Sequence, residues 1–127
     1  MSKTQSILLI VSACYSVGFA IFHLFFWRIF DWRTELGRLT YINRGIVQIL
    51  NLCLTFVFVL FAFLALAHRS EMISTSLGRA LLAGISAFWF LRTVEQVVFF
   101  GLKRPASVSF TVIFLAGAFL YASPLFV

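Results

Sequence analysis

Charge is what this sequence has least of. Acidic side chains number four in 127 residues, and charged residues of both signs make up 11%, against about 25% in soluble domains. A chain this poor in charge cannot clothe a core in a water-facing surface, which excludes a soluble globular fold. Cysteine is scarce too. Cys14 and Cys53 show neither CxxC nor metal-ligand spacing and both fall in apolar runs, so they are expected to be packing residues and not a disulfide. The two histidines, His23 and His68, fall near opposite membrane faces, and no HExxH or CxxCH pattern is present. No metal and no cofactor is therefore expected. Nucleophile elbow, phosphate loop and dinucleotide fingerprint are all missing. So are internal repeats, low-complexity tails and any domain boundary, and residues 1–127 read as one domain.

What the chain has instead is hydrocarbon: 62% hydrophobic residues, seventeen of them Phe. Crossing a hydrocarbon core of about 30 Å takes roughly 20 apolar residues in an α-helix. Four runs of that length are present, at about 6–27, 43–67, 77–101 and 107–126. Stretches such as Leu52 to Leu66 are apolar on both parities, which does not fit the alternating strands of a β-barrel. The expected fold is all-α, an integral membrane bundle of four transmembrane helices with a short interfacial segment between the first two. A lipoprotein-like box, Val11-Ser12-Ala13-Cys14, lies in the first run. The run continues to Trp27, so it reads as a retained span.

The formal charge of +6 does not make a nucleic-acid surface, because the basic residues are single and border the spans. They report topology. Lys3, Arg69 and Arg79 fall on one side of the membrane; Arg28, Arg33, Arg38, Arg44, Lys103 and Arg104 fall on the other. The positive-inside rule then places the first and third loops in the cytoplasm and both termini outside. The loop from Arg28 to Ile42 mixes Trp32, Leu36 and Tyr41 with Arg33, Glu35 and Arg38, the composition of a segment lying in the headgroup layer, either as a plain anchor or as a lid. Asp31 stands where it would cap a short helix there.

Charged groups at the centre of a membrane helix cost about 2.5–3.5 kcal/mol each, so each one needs a reason. In the third span Trp89, Arg92, Glu95, Gln96 and Phe99 share a face, with Arg92 able to reach Glu95 at i+3 and Gln96 at i+4. Ser12, Ser16, Ala20, His23 and Trp27 align in the first span, Arg44, Gln48, Asn51 and Thr55 in the second, and Ser107, Thr111, Ala118 and Tyr121 in the fourth. Counting about 1.5 Å per residue puts His23, Gln48, Asn51, Thr111, Glu95 and Arg92 within roughly 6–14 Å of the cytoplasmic boundary. Four helices thus bring their polar residues to one level, and the outer half reads as nearly pure apolar packing. Such groups also glue helices together, at about 0.6 kcal/mol per hydrogen bond. Glue accounts for Gln48, Asn51 and the hydroxyls, but poorly for an Arg, a Glu and a His at one depth.

The expected function is binding of an amphipathic small molecule or lipid in the cytoplasmic half of the bundle. Arg92 would hold its head, Gln96, Gln48 and Asn51 would orient it, and Trp27 and Trp89 would wall the site. Should a reaction occur, Glu95 and His23 would be the proton-transfer pair. The rival expectations are an accessory or assembly subunit docked on a membrane protein partner, and an oligomeric small transporter, which would need a polar stripe through the full depth. In size and span count the chain is similar to small multidrug transporters and fluoride channels, but its first span has no acidic residue and it carries no motif of either. Membrane lipids are expected partners; nucleic acid is not. The topology has a direct test. Single cysteines at positions 33 and 38 are expected to react with a membrane-impermeant maleimide from the cytoplasmic side only, and labelling solely from outside would overturn the orientation.

Overall fold

Backbone N–H and C=O groups have no water to bond in a bilayer, so each apolar run has to satisfy them within itself. The computed structural model, which describes residues 1–127, shows how. Helices α1 (Lys3–Leu24), α4 (Tyr41–Ala67), α6 (Ser76–Phe100) and α7 (Pro105–Ala122) are the four spans. Three short helices, α2 (Phe26–Ile29), α3 (Trp32–Glu35) and α5 (Arg69–Ser74), and two 3-10 turns lie between or after them, and there is no strand. The chain is a multi-pass membrane protein with an all-α, four-helix architecture.

Local chemistry sets where each span stops. Ser2 and Gln5 form a reciprocal capping box at the start of α1, while Thr40 and Thr75 cap α4 and α6 through their hydroxyls. At the end of α6, Gly101 takes φ 68, a conformation open to glycine at little cost. Pro105 then occupies the first turn of α7, where its missing N–H is no loss. Asp31 does stand at the N-cap of α3, but its backbone is left-handed and its side chain makes no capping bond. A capping side chain needs the extended backbone that Asp31 lacks.

The spans pair as two hairpins, α1 with α4 and α6 with α7, which meet chiefly along α1 and α7. In the half of the bundle that carries the termini, this seam is polar, not purely apolar as expected. The Ser16 and Tyr121 hydroxyls lie 2.6 Å apart, and Tyr121 donates to the Ser12 carbonyl. Ser12 Oγ reaches the carbonyls of Leu8 and Leu120, and Tyr15 donates to the Ile113 carbonyl. Ser12, Ser16 and Tyr121 could be read from the sequence as parts of polar stripes; Tyr15 and the partners of all four could not. Gln5 adds bonds from its amide to the carbonyls of Pro124 and Val127.

Cys14 and Cys53 do not pack inside. Both are exposed on the outer surface of the bundle, among apolar side chains that face lipid. The interfacial segment is fastened to α4, because Arg44 donates to the carbonyls of Leu36 and Leu39 that end it, and Leu36 is buried. Between α4 and α6, α5 buries Met72 and lies directly on the start of α6.

That close approach depends on Gly78, because a Cβ there would overlap the backbone of Glu71 and Met72. Gly78→Ala is expected to lower stability by about 1–3 kcal/mol through overpacking. Gly84→Ala, where nothing stands within 4 Å, is expected to be neutral or to gain up to about 1 kcal/mol. Thermal unfolding in one detergent compares the two.

Candidate functional site

In the half of the bundle opposite the termini, the seam between the hairpins opens into a cavity of about 860 Å³. Phe19, Phe22, His23, Phe26 and Phe30 wall it from α1 and the α2 region, and Leu54 and Phe58 from α4. Across from them stand Phe88, Trp89, Arg92 and Gln96 of α6, with Ser107, Phe110 and Phe114 of α7. Arg104 and Ala106 stand at its shallow end, where α7 begins. The deep end is aromatic. Trp89, with no exposed surface, is the hub of five rings, Tyr15, Phe19, Phe58, Phe88 and Phe114, whose centroids lie 4.8 to 6.1 Å from its own. Its indole N–H has no partner in the protein, a cost of about 1–3 kcal/mol that the stacked and edge-on rings offset.

Arg92 is the polar centre. Its guanidinium carbon lies 4.3 Å from the centre of the Phe114 ring, and Nη2 donates to Gln96 Oε1 at 3.0 Å. Gln96 Nε2 in turn donates to Ser107 Oγ at 3.0 Å, and Ser107 donates to the Gly101 carbonyl at 2.6 Å. The relay fixes the direction of the Gln96 amide and orients the arginine. No other hydrogen bond from the guanidinium to the protein is formed, so the half-buried Arg92 keeps donors free on the cavity it lines.

His23 is held differently. Its Nδ1 lies 2.8 Å from Asn51 Oδ1, an oxygen that can only accept, so Nδ1 carries the proton of that bond. Asn51 Nδ2 donates back to the His23 carbonyl at 3.1 Å. The ring also stacks on Phe26, with centroids 4.2 Å apart. Asn51 is therefore a positioning residue for His23 and does not line the cavity.

The cavity thus brings together His23, Trp89, Arg92 and Gln96 of the residues singled out by sequence. The others stand apart. Gln48 bonds the Arg44 carbonyl of its own helix. Trp27 is half exposed and packs edge-on to Trp32, outside the cavity. Glu95 does not line the cavity and makes no ion pair with Arg92; the ion pair of Arg38 with Glu35 and the 4.0 Å contact of His68 with Glu71 lie outside the spans. The i+3 spacing permitted the Arg92–Glu95 pair, but the guanidinium turns toward Gln96 and Phe114. The proton-transfer pair of Glu95 and His23 is not assembled either. Of the segment from Arg28 to Ile42, Phe30 alone lines the cavity. Sequence reading missed Ser107 as the end of the relay and Arg104; it expected walls of Phe and Leu but named none of the phenylalanines that form them. A signal for Ser107 existed in its place on the polar stripe of the fourth span.

The chain matches no known family pattern, and neither a curated protein nor a solved structure is significantly similar to it.

The relay implies a specific coupling. In double-mutant cycles on thermal stability, Arg92→Met and Gln96→Leu are expected to interact more strongly than Arg92→Met and Glu95→Gln, since directly bonded residues couple by about 0.5–3 kcal/mol. Equal coupling would mean that Arg92 also pairs with Glu95.

Proposed function

We propose that the protein binds one amphipathic, lipid-like molecule, its head at Arg92 and its hydrocarbon among the phenylalanines. The observation that carries this is the cavity itself. Its volume of about 860 Å³ falls in the range of roughly 300–1,000 Å³ typical of small-molecule sites, which pair apolar walls with a few placed polar groups. Helix glue consumes its donors and acceptors, whereas Arg92 has donors to spare. Binding is favoured over catalysis because Glu95 lies away from the one histidine at the site. With the basic loops in the cytoplasm, the molecule would enter from the cytoplasmic leaflet.

A second reading is favoured by Glu95 itself, a half-buried carboxylate within α6 that has no hydrogen-bond or ion-pair partner in the chain. An intramembrane acid left in this state fits contact with a membrane protein partner or a second copy.

Native mass spectrometry of gently extracted protein tests both. One retained amphiphile per chain is expected, and Ala106→Trp, which fills the shallow end of the cavity, is expected to expel it while leaving thermal stability within about 1 kcal/mol. Retention of the same molecule by Ala106→Trp would place it elsewhere, and added mass of protein size would shift weight to the partner reading.

A further inference from the structure

The charged groups that line the cavity are of one sign. Arg92 and Arg104 both face it, and no carboxylate does. Each of the four acids is accounted for elsewhere. Asp31 and Glu35 belong to the interfacial segment, Glu35 paired with Arg38 at 3.1 Å; Glu71 stands by His68 at the other end of the bundle; Glu95 lies outside the cavity. Neither lining arginine forms an ion pair with an acid of the protein, though the charge of Glu95, one turn along α6, reaches Arg92 at longer range.

We infer that the bound molecule carries an acidic head, a carboxylate or phosphate monoester on a single hydrocarbon chain, held between Arg92 and Arg104. This rests on the amphiphile reading and narrows it to one chemical class. A cation within an apolar span, with no acid at ion-pair distance, is poorly compensated, and an anion placed against it reduces the deficit. The planar guanidinium suits this, since its parallel N–H groups match the oxygens of a carboxylate or phosphate. Gln96 and the Phe114 ring hold Arg92 in place before any ligand arrives, so little ordering is left to binding. Arg104 stands at the shallow end, where an acid entering from the membrane boundary would meet it first. Past Arg92 the walls are Phe58, Trp89 and Phe114, which offer a chain only apolar contact.

Trp89 reports on that deep end. Of three tryptophans, the other two lie outside the cavity, so Trp27→Phe/Trp32→Phe leaves a single probe. In nanodiscs of zwitterionic lipid at alkaline pH, dibromostearic acid is expected to quench Trp89 saturably. Its half-saturation should lie at least about ten-fold below that of the methyl ester with the same chain, as befits charge-assisted bonds. Arg104→Gln, on the exposed rim, and Arg92→Gln are each expected to narrow that gap, and Arg92→Lys to keep part of it. Equal quenching by acid and ester would overturn the acidic head and leave the amphiphile reading standing. Absence of saturable quenching by either would overturn both. Full displacement of the acid by inorganic phosphate would show a site for a free anion, and the tailed ligand would be wrong.

Discussion

The hydroxyl seam between α1 and α7 is the interaction on which the rest of this bundle depends. In lipid there is no hydrophobic drive to bring helices together, because a hydrocarbon tail is as good a neighbour as Leu, so association rests on packing and interhelical hydrogen bonds. The two hairpins meet through Ser12, Tyr15, Ser16 and Tyr121, all bonded in the half that carries the termini. Beyond Ser16, Phe19, Phe22 and His23 of α1 and Phe26 of α2 follow toward the opposite face, and these line the cavity. Pinning one half with short polar contacts and spacing the other with bulky rings yields a cavity at one end of the membrane and none through it.

The aromatic content follows from the same division. A cavity within lipid survives only if its walls do not collapse, and aromatic side chains are stiff, wide and able to brace one another edge to face. Phe58 and Phe114 stack nearly parallel to Trp89 from two sides, while Tyr15 and Phe88 meet it edge-on. The hub joins all four spans at the level where the sealed half ends and the open half begins. Its unpaired indole N–H shows that packing, not hydrogen bonding, set the position of that ring.

Nearly every polar side chain in the spans has a structural task, which makes the exceptions informative. Thr55, Thr93 and Thr111 bond carbonyls one turn back on their own helices. Asn51 fixes His23, Arg44 ends the interfacial segment, Gln48 stays on its own helix, and Ser86 joins α6 to α7. What is left over is the free side of Arg92, beside Arg104 in one lining, with the His23 Nε2 and the buried indole N–H of Trp89, and the solitary Glu95 outside the cavity. The functional reading comes from this subtraction and not from the presence of polar groups as such.

The sequence by itself determined the four spans, their helical state and their polar faces, because the bilayer forces every backbone bond to be local and leaves hydropathy as a nearly complete record. It also placed His23, Trp89, Arg92 and Gln96 in the half that proved to hold the cavity, since depth follows from counting residues along a straight helix. Only the tertiary structure decided which polar residue met which. Arg92 had Glu95 and Gln96 within equal reach along the helix, and its choice was made by Phe114 and Ser107 on another one. Trp27 shared a stripe with His23, but α1 breaks at Phe25 and the stripe does not continue through the break. Cys14 and Cys53 read as buried from hydropathy, which in a membrane cannot separate a side chain facing protein from one facing lipid, because both surroundings are apolar.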